Sequence, residues 1–376
     1  MPLIHRHLQR LCTPFLLVAL LTFSSPLAMA ESILIDLESK QHIIEDRSFD
    51  EVESVDVTSL MAIFSSLEFV KRNNIDITTA VRNPWSNFSD TSVEKIPFSA
   101  LLQILLLNGS ATALHELPVA LGLTPEAFDA LMATDVAQLG LQQSSFHLTC
   151  NGSTRCVTSA RDIAKLSLKL ISLHPEVLPW AQQQQLNIPG IPVQKTSNFF
   201  LERSQAVRGL FVHSEQSASA VIFTENKTSG NAFPRRLLAI DIGSPNQSQL
   251  HKRLASLLLR GWRDFETIRL YRKGEKIISL PTINGTQNFV RASVTDDVFV
   301  TLNRERLIES GTSSFSFRVR YSSPITAPIH QGDPLGVLDI LDGSKMLCSA
   351  NLSAAEDIPA GSFWKRFFDK LHLSSH

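Results

Sequence analysis

The sequence predicts an α/β domain, followed by a small all-β domain and an amphipathic C-terminal helix. Three observations support this order. Helix-spaced apolar residues alternate with β-rich runs as far as about residue 265. Residues 266–358 contain only short strand-like runs separated by turn residues. The last residues place large apolar side chains on one helical face and charged side chains on the other.

The composition excludes several classes of protein. The chain has 376 residues, of which 43% are hydrophobic and 19% are charged, so it is not a disordered chain. The formal net charge is −1, and the lack of a basic excess argues against a dedicated nucleic-acid binder. Cys and His do not occur at metal-ligand spacings, and nothing implies a cofactor, so we expect no metal and no cofactor.

Residues 1–30 have the features of a secretory signal peptide. Basic residues precede the apolar run Pro14–Phe23. That run is about half the ~20 residues that a membrane span needs. Ala28-Met29-Ala30 is a small-x-small cleavage site, so the mature chain should begin at Glu31 across the inner membrane. The alternative is an uncleaved anchor.

Three cysteines remain after such a cleavage. Cys150 and Cys156 flank a short polar loop and are placed either to form a local disulfide or to stay unpaired. Cys348 is left over, and we expect it to be buried. The oxidising compartment implied by the signal peptide is compatible with a disulfide.

The first predicted domain, residues 31–265, alternates strands with helices. It opens with a hairpin of Ser32–Asp36 and Gln41–Ile44. Apolar spacing and N-cap residues predict helices at Val57–Val70, Pro97–Leu107, from Thr124, Ser159–Leu173 and Gln249–Trp262. Leu210–Thr224 and Arg236–Ile242 are expected to be paired strands.

The second predicted domain, residues 266–360, is a small β-sandwich. Its expected strands are Thr267–Tyr271, Phe289–Val294, Val298–Leu302, Phe315–Tyr321 and Gly336–Leu341.

Residues 361–376 form the predicted C-terminal helix. One face carries Phe363, Trp364, Phe367, Phe368 and Leu371, and the other carries Lys365, Arg366, Asp369 and Lys370. Aromatic residues opposite basic ones are typical of a helix that lies in a membrane interface. The alternatives are a helix docked on its own domain and an oligomer contact.

Several short segments, in their order and spacing, resemble one family. They are Ile33–Asp36, the helix ending at Leu107 before Gly109, Leu139–Leu141 with Phe146, Thr158–Ala164, Arg263–Thr267 and Ile358–Phe363. Together they are similar to the low-molecular-mass penicillin-binding proteins, the D-alanyl-D-alanine carboxypeptidases of bacterial cell walls. The resemblance implies a penicillin-binding/β-lactamase-like transpeptidase domain with an antiparallel sheet and helices. It also implies a periplasmic, peripheral position on the inner membrane, with peptidoglycan stem peptides or cell-wall synthesis proteins as partners.

The family's chemistry rests on three motifs, S-x-x-K, S-x-N and K-T-G. Ser54 holds the nucleophile position of the first motif, but Val57 holds the position of the lysine. An isopropyl group cannot accept the serine proton, and a serine without a base is a poor nucleophile. The second motif corresponds to Asn108-Gly109-Ser110, in which the two polar residues are exchanged.

The third motif corresponds to Phe211, Val212 and His213, which replace Lys, Thr and Gly. The resemblance implies that the charge anchoring the substrate carboxylate is lost, with Arg208 or His213 as partial compensation. Each matching residue also has a structural interpretation. Ser54 could be an N-cap, Asn108–Ser110 a helix-ending turn, and His213 a packed strand residue.

Two other sequence matches are decoys. Ser92–Lys95 is a literal S-x-x-K in a loop, and Lys227–Gly230 is a stretched K-T-G in a polar turn. Chain order alone brings no other Ser-His-Asp set together.

These features predict a catalytically degenerate carboxypeptidase-like protein with a binding or scaffolding role in peptidoglycan metabolism. The alternative is an active or weakly active serine-type carboxypeptidase using Ser54, for which Asp56 is a candidate base close in sequence. A third hypothesis is an interaction module that acts through the β domain alone.

Overall fold

The computed structural model describes residues 30–364, with gaps at 48–49, 54, 87–92, 151–153, 204–206, 208, 215–217, 227–232 and 313. The described part is an α/β region followed by a β-rich region. The α/β region contains β1 Glu31–Asp36, β2 Gln41–Asp46, β3 Val52–Glu53, α1 Thr58–Arg72, β4 Ala80–Arg82, β5 Lys95–Pro97, α2 Phe98–Asn108, α3 Ala111–Ala120, α4 Pro125–Leu139, β6 Val157–Thr158, α5 Ala160–Leu173, α6 Val177–Ala181, β7 Gln185–Leu186, β8 Gln194–Lys195, α7 Phe200–Arg203, β9 Phe211–Ser214, β10 Ala218–Asn226, β11 Arg235–Ser244 and α8 Gln247–Asp264.

An antiparallel five-stranded sheet in the order β2-β1-β11-β10-β9 is the centre of this region. All six residues of β1 are buried because helices cover both faces of the sheet. Ile33 and Ile35 belong to the core shared with α1, α2 and α5, whereas Leu34 belongs to the core formed with α8. Alternate residues of a strand point to opposite faces, which accounts for this division.

The predicted hairpin and most predicted helices are present, with ends shifted by a few residues. Thr124 and Ser159 cap α4 and α5 by accepting hydrogen bonds from backbone N–H groups three residues later. The single expected strand Leu210–Thr224 was wrong, since β9 and β10 are separate strands that pair with each other. Helix α3 was not predicted.

The second region consists of β12 Phe265–Tyr271, β13 Lys276–Ile283, β14 Phe289–Val294, β15 Val298–Asn303, α9 Arg304–Ser310, β16 Phe315–Tyr321, β17 Ile325–Thr326, β18 Pro334–Asp342 and β19 Lys345–Ala354. Its larger sheet has the order β16-β18-β19-β14-β13-β17, and β12 pairs with β15. These strands enclose a hydrophobic core of their own. Cys348 on β19 is only half-buried, which corrects the expectation of burial. Its environment nevertheless raises the pKa of the thiol to about 11 through desolvation.

A buried polar cluster joins the two regions where α8 ends and β12 begins. Asp36 accepts hydrogen bonds from Arg235 Nε at 2.8 Å and from Thr267 Oγ1. The hydroxyls of Ser39 and Thr301 lie 2.7 Å apart. Because these groups are buried and hydrogen-bonded to one another, the hairpin β1–β2 is fixed against the strands β12 and β15.

Candidate active site

Val57, the residue predicted to hold the lysine position of the first motif, is part of the core. Helix α1 begins at Thr58, Val57 occupies its N-cap position, and no side chain caps the helix. The side chain of Val57 is fully buried in the main hydrophobic cluster. The interpretation of Ser54 as the N-cap is therefore wrong, because that position belongs to Val57. Ser54 itself lies outside the described residues.

Asp56 is the titratable group next to this position in sequence. Its residue is only 5% exposed, so the carboxylate is largely shielded from solvent.

The second motif position forms a turn between two helices. Gly109 has φ +68° and terminates α2 in the left-handed conformation, which glycine adopts without strain. Ser110 then caps α3 by accepting a hydrogen bond from the backbone N–H of Ala113 at 3.4 Å. The Asn108 side-chain amide donates to Gln194 Oε1 at 2.9 Å. Both polar side chains therefore have structural roles, as the turn interpretation predicts.

Gln194 was not predicted as part of this site. It lies on β8, 86 residues from Asn108, and its own amide donates to the Pro192 carbonyl oxygen at 2.7 Å. No local sequence pattern could have indicated this contact, because it joins segments that are distant along the chain.

The third motif position lies on the edge strand β9, which pairs with β10 in the register Phe211↔Val221, Val212↔Ala220 and His213↔Ser219. Phe211 is 1% exposed and belongs to the same hydrophobic cluster as Val57. The structure describes only the backbone of Val212 and His213, and Arg208 lies outside the described residues.

The described side chains at the three motif positions offer little acid–base chemistry. Val57 and Phe211 are hydrocarbon, and Asn108 and Ser110 are neutral groups engaged in the α2–α3 turn. A hydroxyl needs an adjacent base or a lowered pKa to become an effective nucleophile.

Of the two decoy matches, the described residues include Lys95 of the first and none of the second. Lys95 lies on β5, where it pairs with Arg82 of β4, and Ser92 is outside the described residues. Residues 227–230 are also outside them. Within the part of the chain that the structure describes, no group of three or more His, Cys, Asp or Glu residues is placed to hold a metal ion.

The predicted membrane helix is described only at its start. Phe363 and Trp364 are 68% and 67% exposed, and their rings contact each other edge to face. Phe367, Phe368 and Leu371 lie outside the described residues. No helix among residues that are described has both the length and the apolar character needed to cross a membrane.

The structure bonds Cys150 to Cys156, with their Cα atoms 5.6 Å apart. The sequence left this pairing open.

Comparison with known proteins identifies relatives along most of the chain. Residues 265–360 match the family described as penicillin-binding protein 5, C-terminal domain. The D-alanyl-D-alanine carboxypeptidase DacA of Escherichia coli K12 is 24% identical over 367 residues, covering 92% of this chain and 88% of the relative.

Two solved structures share the fold. Penicillin-binding protein 5 from Haemophilus influenzae has a TM-score of 0.70 at 21% identity, over 88% of this chain and 97% of that one. A peptidoglycan synthesis regulatory factor (PBP3) from Streptococcus pneumoniae also has a TM-score of 0.70, at 17% identity, over 88% of this chain and 99% of that one.

Proposed function

Because this chain belongs to the family of low-molecular-mass penicillin-binding proteins and D-alanyl-D-alanine carboxypeptidases, we propose that it is a catalytically degenerate member of that family. Its role is to bind or scaffold in peptidoglycan metabolism at the cell envelope. The ligands that fit this role are peptidoglycan stem peptides or proteins of cell-wall synthesis.

The burial of Val57 is the observation that carries this proposal. In the family motif, the lysine one turn after the serine takes the serine proton. In the sequence match to that motif, the isopropyl group of Val57 takes the place of the lysine, and it is buried in the core cluster. General-base assistance contributes about 10²–10⁴ in rate, so its loss alone reduces turnover severely.

The apolar character of the third motif position supports the same conclusion. Phe211 replaces the lysine of K-T-G and is packed in the core rather than presented to a carboxylate. A charged partner for the C-terminus of a peptide is therefore missing at this position, and binding would have to use other groups of the surface.

The location is proposed from two features. The N-terminal segment has the pattern of a cleaved signal peptide, and the relatives are penicillin-binding proteins. Phe363 and Trp364 are mostly exposed, which supports a membrane-facing helix over a docked one.

A turnover assay tests the loss of catalysis. The purified mature protein should release no D-Ala from a D-Ala-D-Ala peptide and should not be labelled covalently by a fluorescent penicillin at Ser54. An active carboxypeptidase of the family, assayed in parallel, shows that the substrate and the label are competent.

The alternative activity makes the opposite prediction. D-Ala release that is abolished by Ser54→Ala would contradict the proposal and establish an active serine carboxypeptidase. If residues 266–358 alone reproduced the cellular function, the third hypothesis, an interaction module in the β domain, would replace it.

A further inference from the structure

A serine, a histidine and an aspartate outside the three motif positions form a hydrogen-bonded chain on the α/β region. Ser145 Oγ lies 3.0 Å from His147 Nε2, and His147 Nδ1 lies 3.4 Å from Asp129 Oδ2. This connectivity of hydroxyl, imidazole and carboxylate is the one that activates a serine for nucleophilic attack. We propose that Ser145 is a nucleophilic site that accepts acyl groups from activated esters, independently of the position of Ser54.

The carboxylate of Asp129 is oriented towards Nδ1 of the ring, an arrangement that suits the tautomer with its proton on Nδ1. The backbone N–H of Leu148 donates to Asp129 Oδ1 at 2.8 Å, which leaves Oδ2 to face His147 Nδ1. A proton on Nδ1 then donates to Oδ2, and the lone pair of Nε2 faces the hydroxyl of Ser145. Nε2 is thereby placed as the acceptor of the serine proton.

The backbone around Ser145 places both catalytic groups on the outer side of the segment. Phe146 and Leu148 are buried, and they alternate with Ser145 and His147. Residues two apart on an extended chain share a face, so the hydroxyl and the imidazole are presented together. Reciprocal backbone hydrogen bonds to Val157, at 2.9 and 3.1 Å, hold Ser145 in this extended geometry.

The disulfide lies directly beside this arrangement. The sulfur atoms of Cys150 and Cys156 are 3.5 and 3.7 Å from the carbonyl oxygen of His147. A covalent link at this point limits the movement of the chain that carries the imidazole. The side chains of His147 and Asp129 are 32% and 30% exposed, so a small ester can reach them.

The proposed step is an acyl transfer. Ser145 Oγ attacks the carbonyl carbon of the ester while its proton moves to His147 Nε2, and the bond to the leaving alkoxide or phenolate breaks. Asp129 stabilises the imidazolium until its proton passes to the leaving group or to water.

The backbone limits the substrates that this site can use. The N–H of Ser145 donates to the Val157 carbonyl oxygen and is not available to an oxyanion. An oxyanion-hole donor is worth about 10²–10³ in rate. The site therefore fits esters with good leaving groups rather than amides or peptides.

The test uses p-nitrophenyl acetate and the full mature protein. We expect release of p-nitrophenolate together with one acetyl group on the peptide that contains Ser145, identified by mass spectrometry. Ser145→Ala should remove that acetyl group. His147→Gln should slow acetylation by about 100-fold or more, the low end of general-base assistance. Asp129→Asn should slow it by a smaller factor, because the amide oxygen can still accept from Leu148.

Two matched controls separate this site from other hydroxyls. Ser144→Ala removes the neighbouring hydroxyl, which bonds to Asp162 rather than to His147, and should leave acetylation unchanged. Ser54→Ala should also leave it unchanged. Unaltered thermal unfolding of each variant verifies the fold.

The results that would overturn the assignment are an unmodified Ser145 in the wild type, or a rate that His147→Gln leaves unchanged. Acetylation that Ser54→Ala abolishes would contradict the assignment and the proposed inactivity together. An unlabelled Ser145 with no D-Ala release would overturn only the assignment.

Discussion

Val57 and Phe211, the two residues predicted to stand where the family motifs have lysine, are both part of the hydrophobic core. Both side chains are almost wholly inaccessible to solvent and belong to one hydrophobic cluster. A charged amine at either point would have to lose its hydration among the hydrophobic side chains of this cluster. The two apolar side chains therefore suit the packing at these positions.

The substitution Val57→Lys tests this interpretation. We expect the variant to lose about 3–5 kcal/mol of unfolding free energy, the range for an uncompensated buried charge, and to gain no acylation by penicillin. Urea denaturation and fluorescent-penicillin labelling measure the two effects. Val57→Met introduces a comparable chain without charge and should cost less. A well-folded Val57→Lys protein that reacts with penicillin would show that the pocket has persisted.

The sequence predicts the structural role of some residues but not of others. The turn at Asn108–Ser110 was foreseeable because Gly after a helix and Ser before the next one have local meanings. The alignment of Ser145, His147 and Asp129 was not, because Asp129 lies on helix α4 and only the fold brings it to the ring. The spacing of Cys150 and Cys156 is compatible with a disulfide bond but also with two unpaired cysteines.

Among the elements, those with a strong local pattern were predicted and those without one were not. Strand β14 and strand β16 have the bounds expected from the sequence. Strand β13 contains Pro281, which argues against a strand, and β19 mixes small polar residues into its run. Tertiary pairing compensates for both, since each is hydrogen-bonded to β14. Helix α3 was not predicted, and it contains Pro118, a residue that is unfavourable inside a helix.

The sheet of the second region depends on one carboxylate that links three strands. Asp339 on β18 accepts two hydrogen bonds from Arg320 on β16, at 2.6 and 2.9 Å, and one from Ser349 on β19 at 2.6 Å. The hydrogen bond to the guanidinium, together with that to the Ser349 hydroxyl, lowers the pKa of Asp339 from 3.8 to about 2. Strand β16 is at the end of this sheet, so the ion pair helps to fix it.

A pH-dependent loss of stability should follow from this lowered pKa. A carboxylate whose pKa is lower in the folded state than in the unfolded state stabilises the fold at any pH above its unfolded-state pKa. That contribution is lost as the pH falls through the folded-state pKa. Because Arg320 is exposed, Asp339→Asn should cost only up to about 1 kcal/mol at pH 6. The difference from the wild type should shrink as the pH falls from 3.8 towards about 2.

Urea denaturation at pH 6 and pH 3 measures this effect. Arg320→Gln removes the same pair from the other side and should show the same trend. A difference that stays constant or grows on acidification would mean that the ion pair does not stabilise the sheet.

At the scale of the molecule, the buried cluster around Asp36 connects the two regions through side chains from four strands. The order of an α/β region before a β-rich region followed from the change in sequence pattern near residue 265. The contacts across the junction did not, because they join β1 and the β1–β2 turn to strands more than 200 residues later. Long-range polar pairs of this kind leave no periodic signal in the sequence.

The C-terminal segment should hold the whole protein on the membrane. Gly361 is buried and its N–H donates to the Asn284 carbonyl oxygen at 2.7 Å, so the packed structure extends to this residue. Phe363 and Trp364 immediately after it are mostly exposed. A truncation that retains Gly361 and Ser362 therefore separates anchoring from folding.

Deleting residues 363–376 should release the protein from membranes without lowering its unfolding temperature. Burying each large apolar side chain of this segment is worth roughly 1.5–3 kcal/mol, before the cost of ordering the segment. The resulting attachment should be clear but reversible, as for an interfacial helix. The basic residues Lys365, Arg366 and Lys370 should add an attraction to anionic lipids that weakens with salt.

Flotation of the intact and truncated proteins with anionic liposomes, at low and high salt, measures this attachment. Replacing the three basic residues by Gln should reduce flotation at low salt and leave the apolar contribution intact. If the helix were instead docked on the β-rich region, both forms would float equally and the truncated protein would melt earlier. That result would mean that Phe363 and Trp364 are the exposed start of a packed helix, and membrane attachment would have to come from another part of the chain.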